Sequence, residues 1–500
     1  MTAPRRARLN RPHDVGGCEL FQGRTFDDFL FRPKKGRVGS RSDVSLTGRF
    51  SRNVTLELPI VSANMDSVTE APMASTLALE GGIGVIHRAM PIEGQAREVE
   101  RVKRSHGWVV EEPLCLPRGS SLREARDVIR RRGITGILIE EERGSRRLAG
   151  LLSNRDLPWG DARDAEPVER FMTPFDRLVT GAPGIPLEEA ERLLYERRIE
   201  KLPLVDSNRS IRGLITKSDI LLSRERPEST KDGKGRLRVA AAIGARGDYL
   251  DRAAALLDAG ADALVVDIAH GHSVVMEQAV KALAARFRGV ELVCGNVGTS
   301  EGARFLKELG AAAIKVGIGP GRGCRTRLET SAGVPQLQAI HECRMAVGDD
   351  LPVIADGGVK DDKDVFLALA CGASSVMLGS LLSGTDEAPG RVIEDPGTRE
   401  KRKIYRGMTS PQAVFEALYD DDDPGELEQA LETPAEGQEI QVPYRGPVRD
   451  VLRRVQGHLR SAVSYAGEDS LGAVRELVLA APREHLIQLS AASRRESFER

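Results

Sequence analysis

The run Gly317-Ile318-Gly319-Pro320-Gly321-Arg322-Gly323-Cys324-Arg325-Thr326-Arg327 sets one cysteine in a glycine loop directly after the apolar segment Ala311-Ala312-Ala313-Ile314-Lys315-Val316. Glycines at alternate positions let backbone N–H groups turn inward, and such a nest favours an anion, either a substrate phosphate or the thiolate itself. Arg322, Arg325 and Arg327 add positive charge around the sulfur. That setting favours a nucleophile over the inert, buried small hydrophobe that most free cysteines are.

Two further segments fit a nucleotide. Asp356-Gly357-Gly358 and Gly379-Ser380 each end an apolar run; a carboxylate there can take two ribose hydroxyls while glycine N–H groups bind a phosphate. Either signal alone is weak, and together with Cys324 they suggest a nucleotide. Asp267-Ile268-Ala269-His270-Gly271-His272 holds potential metal ligands, but three do not converge in the sequence, so Asp267 is read as a hydrogen-bonding group. Asp420-Asp421-Asp422-Asp423 lacks the glycine and terminal glutamate of a calcium loop and reads as a solvated turn. No divalent metal is assigned.

These residues need a scaffold. Eight apolar runs end in Gly, Asn, Asp or Ser or close to one: Leu58–Met65, Gly82–His87, Val239–Ala245, Ala263–Gly271, Leu292–Gly298, Ala312–Gly321, Val353–Gly358 and Ser375–Ser380. Near-continuous Val/Ile/Leu runs are what parallel strands buried on both faces look like, and helical-period segments such as Tyr249–Ala259, Met276–Arg286, Glu301–Leu309 and Asp361–Ala370 lie between them. A (β/α)8 TIM barrel is the leading fold, with an open doubly wound sheet second. In a barrel the chemistry sits where strands end, and Asn64, Asp267, His270, Asn296, Cys324, Asp356 and Gly379 fall there.

Between the second and third runs the chain repeats itself. Leu122-Arg123-Glu124-Ala125 to Gly150–Asp156 matches Leu187-Glu188-Glu189-Ala190 to Gly213–Asp219 roughly 64 residues later, each copy a helix, two strands and a second helix start. Residues 1–112 are therefore expected to begin the barrel, 113–224 to form an inserted tandem module, 225–475 to complete the barrel, and 476–500 to be a helical tail. Glu225–Gly235 is polar and reads as the return linker. Gly407–Tyr444 has no Lys or Arg and several carboxylates, which suits a mobile flap, placed at 408–445.

The 500 residues suit a large α/β domain with a partner domain. A net charge of -1 gives no global field to recruit nucleic acid or an anionic membrane. The six scattered cysteines lack CxxC spacing, as reduced thiols do. With no apolar stretch long enough for export or membrane spanning, a cytoplasmic location is expected.

From about Thr25 to Arg475 the chain resembles the inosine monophosphate (IMP) dehydrogenase and guanosine monophosphate (GMP) reductase family. The resemblance is carried in order by Val61–Glu70, Gly295-Asn296-Val297, the cysteine loop, Ile354-Ala355-Asp356-Gly357-Gly358, Met377-Leu378-Gly379-Ser380 and Tyr405-Arg406-Gly407-Met408. The inserted repeat resembles a pair of cystathionine β-synthase-type (CBS) modules, which implies regulation by adenine or guanine nucleotides. The resemblance further implies that Cys324 attacks C2 of a purine mononucleotide while hydride passes between that carbon and NAD, or NADP in a reductase. It places the phosphate against Gly358, Gly379 and Ser380 with Gly357 and Arg322 nearby, Asp356 on the ribose, and Tyr405, Gly407 and Met408 beside the nucleotide. Asp267 and Asn296, with Gly317, Gly319 and Arg327, fall on the cofactor side. Carbonyls of Gly319, Gly321 and Cys324 would hold a monovalent cation, potassium, and Thr326 with Glu436 would move protons. Homotetramers that pair into octamers are the implied assembly.

Departures from the family bear on direction. Dehydrogenases carry an Arg-Tyr pair in the flap to activate water, whereas this chain has Leu418-Tyr419-Asp420-Asp421. Arg322 stands where dehydrogenases have a serine and some bacterial reductases a lysine, and Asp267–Ser273 and Gly295–Thr299 also read like those reductases. The insert and the long flap are dehydrogenase-like. The expected activity is IMP oxidation to xanthosine monophosphate (XMP), with Thr326–Glu436 deprotonating water. The alternative is reduction of GMP to IMP and ammonia with NADPH. A nucleotide sensor without catalysis is a third reading, disfavoured by the intact Cys324, Thr326 and Glu436.

Overall fold

The computed structural model describes residues 19–105, 109–132, 134–218, 220–221, 226–408, 410 and 436–498. Eight parallel strands close into a barrel: β1 (Ile60–Ser62), β2 (Ile83–Ile86), β3 (Ala240–Ile243), β4 (Ala263–Asp267), β5 (Leu292–Val297), β6 (Ala313–Val316), β7 (Val353–Asp356) and β8 (Ser375–Leu378). Each pairs with the next and β8 returns to β1. Each of the eight apolar runs contains one of these strands. Every residue of β1, β2, β3, β6 and β8 is buried, which explains their Val, Ile, Leu and Ala content. Lys315 in β6 is the one charged residue in those five strands.

Each strand is followed by a barrel helix: α1 (Ala71–Leu79), α2 (Ile92–Ser105), α3 (Tyr249–Asp258), α4 (Val274–Arg286), α5 (Ser300–Glu308), α6 (Gln336–Val347), α7 (Asp362–Ala370) and α8 (Val448–Ala466). Three begin on side-chain caps close behind the strand ends. Ser273 accepts the Met276 N–H, Thr299 accepts the Gly302 N–H, and Asp361 and Asp364 form a reciprocal capping box. Such caps are each worth about 1 kcal/mol and fix where the loop must stop. In β5 the register shifts between Gly295, opposite Lys315, and Val297, opposite Val316, so Asn296 is an extra, bulged residue. A bulge re-aims a side chain.

After β8, strands Ile393–Glu394, Lys401–Arg406 and Glu439–Pro443 form an antiparallel sheet. The C-terminal segment is joined to the barrel unit: Leu471–Ala480 packs on α7, and Leu486–Gln488 pairs with Phe29–Phe31.

The chain divides into two compact units, one of residues up to Lys103 with Glu228–Thr230 and Arg238 onward, the other Arg104–Pro227 with Lys231–Leu237. The second unit extends past Pro113 and Arg224 because Val110 bridges Leu214 and Glu111 pairs with Lys234 and Arg236. It contains a helix–strand–strand sequence twice: Leu122–Arg132, Gly136–Glu140 and Leu148–Ser153, then Leu187–Glu196, Lys201–Val205 and Ile211–Thr216. Each copy has its own apolar cluster, one around Leu122, Ile137 and Leu152, the other around Ala190, Leu202 and Ile215. A third cluster joins Leu138 and Leu148 to Ile211 and Leu214. No helix of the described residues is long and apolar enough to cross a membrane.

Candidate active site

The predicted nucleophile sits in the loop after β6, just ahead of the short helix Thr326–Thr330. Cys324 Sγ lies 3.1 Å from Thr326 Oγ1, and Thr326 Oγ1 donates to Glu436 Oε2 at 2.6 Å. A threonine hydroxyl has one proton. Since the carboxylate accepts it, the hydroxyl faces the sulfur as an acceptor and the thiol donates. The three groups thus form a directed path for a proton from sulfur to carboxylate.

Backbone pairing fixes this path. Cys324 bridges Gly437, Arg325 N–H donates to the Glu436 carbonyl at 2.7 Å, and Gln438 N–H donates to the Gly323 carbonyl at 2.9 Å. Gln438 Nε2 also donates to the Arg322 carbonyl at 3.0 Å, and Gly407 N–H to the Gln438 carbonyl at 3.1 Å. The cysteine loop is therefore laid against the segment entering strand Glu439–Pro443.

Across the barrel mouth, Lys315 Nζ lies 2.9 Å from Asp267 Oδ1 and 2.6 Å from Asp356 Oδ2. Asn64 Nδ2 donates to Asp267 Oδ2 at 2.7 Å. Burial alone would raise the Asp267 pKa, but the Lys315 ammonium and the Lys315 and Asn64 hydrogen bonds hold it below the usual carboxylate range. Burial would likewise lower Lys315, and the two carboxylates raise it instead. Asn296 Nδ2 donates to the Gly317 carbonyl at 2.8 Å and to Asp356 Oδ2 at 2.9 Å. Both partners are acceptors, so the amide orientation is forced and Oδ1 points away from them. That Oδ1 is buried without a hydrogen-bond partner.

Gly357, Gly358, Gly379, Ser380, Arg322 and Tyr405 line a cleft of about 440 Å³. Gly357 and Gly358 adopt φ of +89° and +79°, a region L side chains rarely enter, directly after Asp356. A Cβ on Gly379 would lie 2.7 Å from the Tyr405 hydroxyl, so that contact needs glycine. Tyr405 is buried, and burial, with the charges of Asp356 and Cys324, raises its pKa. Lys360 and Arg445 also line the cleft with Arg322, giving it three cations suited to a phosphate dianion. Lys360 and Arg445, unlike Arg322, were not singled out from the sequence.

The other expected residues divide. Met408 Sδ receives the Asp66 N–H at 3.5 Å, which ties it to the loop after β1. Gly407 packs against Gly323, where a Cβ would stand 2.5 Å from the Gly323 carbonyl oxygen. Arg327 turns into its own loop: Nε donates to the Ile318 carbonyl at 3.1 Å, Nη2 donates to that of Val334, and its stem covers Gly319. His272 packs on Phe305, and no group of three or more His, Cys, Asp or Glu among the described residues could hold a metal ion. The five described cysteines are free thiols. The four-aspartate run and most of the flap lie outside the described residues.

A family model described as the IMP dehydrogenase / GMP reductase domain matches residues 23–499. The chain is 44% identical over 456 residues to an inosine-5'-monophosphate dehydrogenase of Nitrosopumilus maritimus, covering 91% of this chain and 94% of that one. It is 44% identical over 460 residues to the enzyme of the same name from Aquifex aeolicus, covering 92% of each. Among solved structures, a cysteine-to-alanine GMP reductase of Trypanosoma brucei in complex with guanosine 5'-monophosphate is similar at TM-score 0.82 and 38% identity, covering 95% of this chain and 96% of that one.

Proposed function

The chain belongs to the IMP dehydrogenase / GMP reductase family, and from that membership we propose that it is an inosine 5'-monophosphate dehydrogenase that oxidises IMP to XMP with NAD. The observation that carries the reading is the Cys324–Thr326–Glu436 path. The thiol proton passes through the Thr326 hydroxyl to Glu436 as sulfur bonds to purine C2. NAD, when bound, accepts the hydride that leaves C2. Glu436 gives up the thiol proton to solvent, and with Thr326 it then takes the proton of a water whose hydroxyl adds to C2; the C2–S bond breaks and that second proton returns to the sulfur.

The site's polar groups suit both nucleotides. The three cations and glycine N–H groups favour the 5'-phosphate, and Asp356 is the ribose partner. Asp267, whose carboxylate is held by Lys315 and Asn64, is proposed with Asn296 to face the nicotinamide. Carbonyls of Gly319, Gly321 and Cys324 are proposed to hold potassium. The Gly321 carbonyl accepts the Cys324 N–H at 3.0 Å, and each such oxygen keeps a second lone pair for a hard cation. The repeated helix–strand–strand unit is proposed to be a CBS pair that binds regulatory adenine or guanine nucleotides, and the assembly a homotetramer or octamer.

A second reading is GMP reductase, which releases ammonia from GMP on forming the cysteine adduct and then accepts hydride from NADPH to give IMP. The absence of an arginine in Leu418-Tyr419-Asp420-Asp421, Arg322 in the phosphate cleft, and the similarity to the T. brucei GMP reductase favour it. Supplying IMP with NAD, then GMP with NADPH, and following the reduced-nicotinamide absorbance separates the two. A rise with the first pair supports the dehydrogenase; a fall with the second supports the reductase. No change in either would leave only a nucleotide-binding role.

A further inference from the structure

We propose that Lys315 is a positioning residue that joins the purine-nucleotide half of the site to the nicotinamide half by sharing one buried ammonium between Asp356 and Asp267. The inference rests on the reading that two nucleotides meet in this barrel mouth. Lys315 is 2% exposed and is the one charge in a strand otherwise made of Ala, Ile and Val. A barrel strand needs no ammonium for stability, because an apolar side chain of similar volume usually serves as well or better there. The contacts suggest another purpose. Lys315 reaches Asp356 at the end of β7 and Asp267 at the end of β4, and no other described side chain bonds both.

Each carboxylate has a separate amide donor, Asn64 for Asp267 and Asn296 for Asp356. Their charges, by contrast, are balanced by the same nitrogen. Both oxygens lie within hydrogen-bonding reach of it, so the carboxylates are close neighbours. Arg88 adds a smaller positive influence on Asp267 alone, so without the ammonium the two carboxylates would repel each other, which favours uptake of a proton by the pair. Loss of Lys315 should therefore disturb both subsites together, although the lysine need touch neither ligand.

The test measures KM for the purine nucleotide and for the nicotinamide nucleotide, in whichever direction the wild-type protein turns over, for Lys315→Met, Lys315→Arg and the double variant Lys315→Met/Asp267→Asn. In Lys315→Met both KM values should rise by about tenfold or more, the scale of one lost charged hydrogen bond. The rise should shrink as pH falls and a proton replaces the missing cation. Lys315→Arg, which keeps the charge, should stay within about threefold of wild type. The double variant removes the repulsion and should recover the purine-nucleotide KM while the nicotinamide KM stays high.

A rise confined to one substrate, or one independent of pH, would overturn the coupling and leave the proposed function standing. Should Lys315→Met not fold, failure of Lys315→Arg to hold both KM values would overturn it equally. Wild-type protein inert toward both substrate pairs would remove the function and the coupling together.

Discussion

Thr326 Oγ1 donates to Glu436 Oε2 at 2.6 Å, joining groups 110 residues apart in the chain. The Arg325 N–H to Glu436 carbonyl bond pins the Glu436 backbone to the residue preceding Thr326, so the carboxylate is delivered by sheet-like pairing. A base fixed this way should act in the step that consumes water. Glu436→Gln keeps the shape and a hydrogen bond but removes the proton acceptor, and should lower kcat by about 10²–10⁴-fold. If the dehydrogenase direction holds, the cysteine adduct should accumulate, visible by mass spectrometry of acid-quenched protein. Thr326→Val should have a similar effect, and the double variant little more, because the two act as one path.

Cys324→Ala should lower turnover by at least roughly 10³-fold, since covalent catalysis has no substitute in the site. Purine mononucleotide binding, read by calorimetry, should persist, because the phosphate cleft and Asp356 are untouched. A near-normal rate would show that no bond to sulfur is needed.

The barrel was legible in the sequence because a parallel strand covered on both faces is a continuous apolar run, and Val353–Asp356 followed by two glycines marks both strand and exit. Cys324 stood out as a candidate nucleophile from its loop alone. Glu436 was not: nothing in residue spacing links it to Thr326, and only the family resemblance brought it forward. Lys315 stood in plain view inside Ala-Ala-Ala-Ile-Lys-Val, yet an apolar-run reading passes over one charge, whose meaning depends on strands β4 and β7 closing around it. Arg327 shows the opposite difficulty. The family resemblance implied a place on the cofactor side, and its position beside the cysteine only added charge; its guanidinium bonds the carbonyls of Ile318 and Val334. A long side chain's direction is set by which carbonyls lack donors, and those are known only once the loop is built.

Gly379→Ala places a methyl 2.7 Å from the Tyr405 hydroxyl. Overpacking of this kind costs about 1–3 kcal/mol, which appears here as displacement of Tyr405 from the phosphate cleft and a purine-nucleotide KM raised by about tenfold. The next nearest atom, a Tyr405 ring carbon, is 3.3 Å away. Tyr405→Phe combined with Gly379→Ala should therefore recover most of the loss. Steady-state KM for the single and double variants checks it; an unchanged KM in the double variant relative to Gly379→Ala would show that the hydroxyl is not the obstacle.

His341 on α6 is 4% exposed and stacks on Phe21 with ring centroids 4.1 Å apart. Burial pushes its pKa down to about 4, only partly opposed by a hydrogen bond to the Cys371 backbone. The unfolded chain then binds a proton near pH 6.5 that the folded chain refuses until about pH 4. By linkage, stability is fully present above pH 6.5, falls as pH drops through that window, and levels off below it. The span corresponds to about 3 kcal/mol for the barrel unit. Chemical denaturation between neutral pH and pH 4 should show the decline. In His341→Leu, which keeps an apolar partner for Phe21, the decline should be shallower by about that amount; equal slopes would show that this imidazole is not the group responsible.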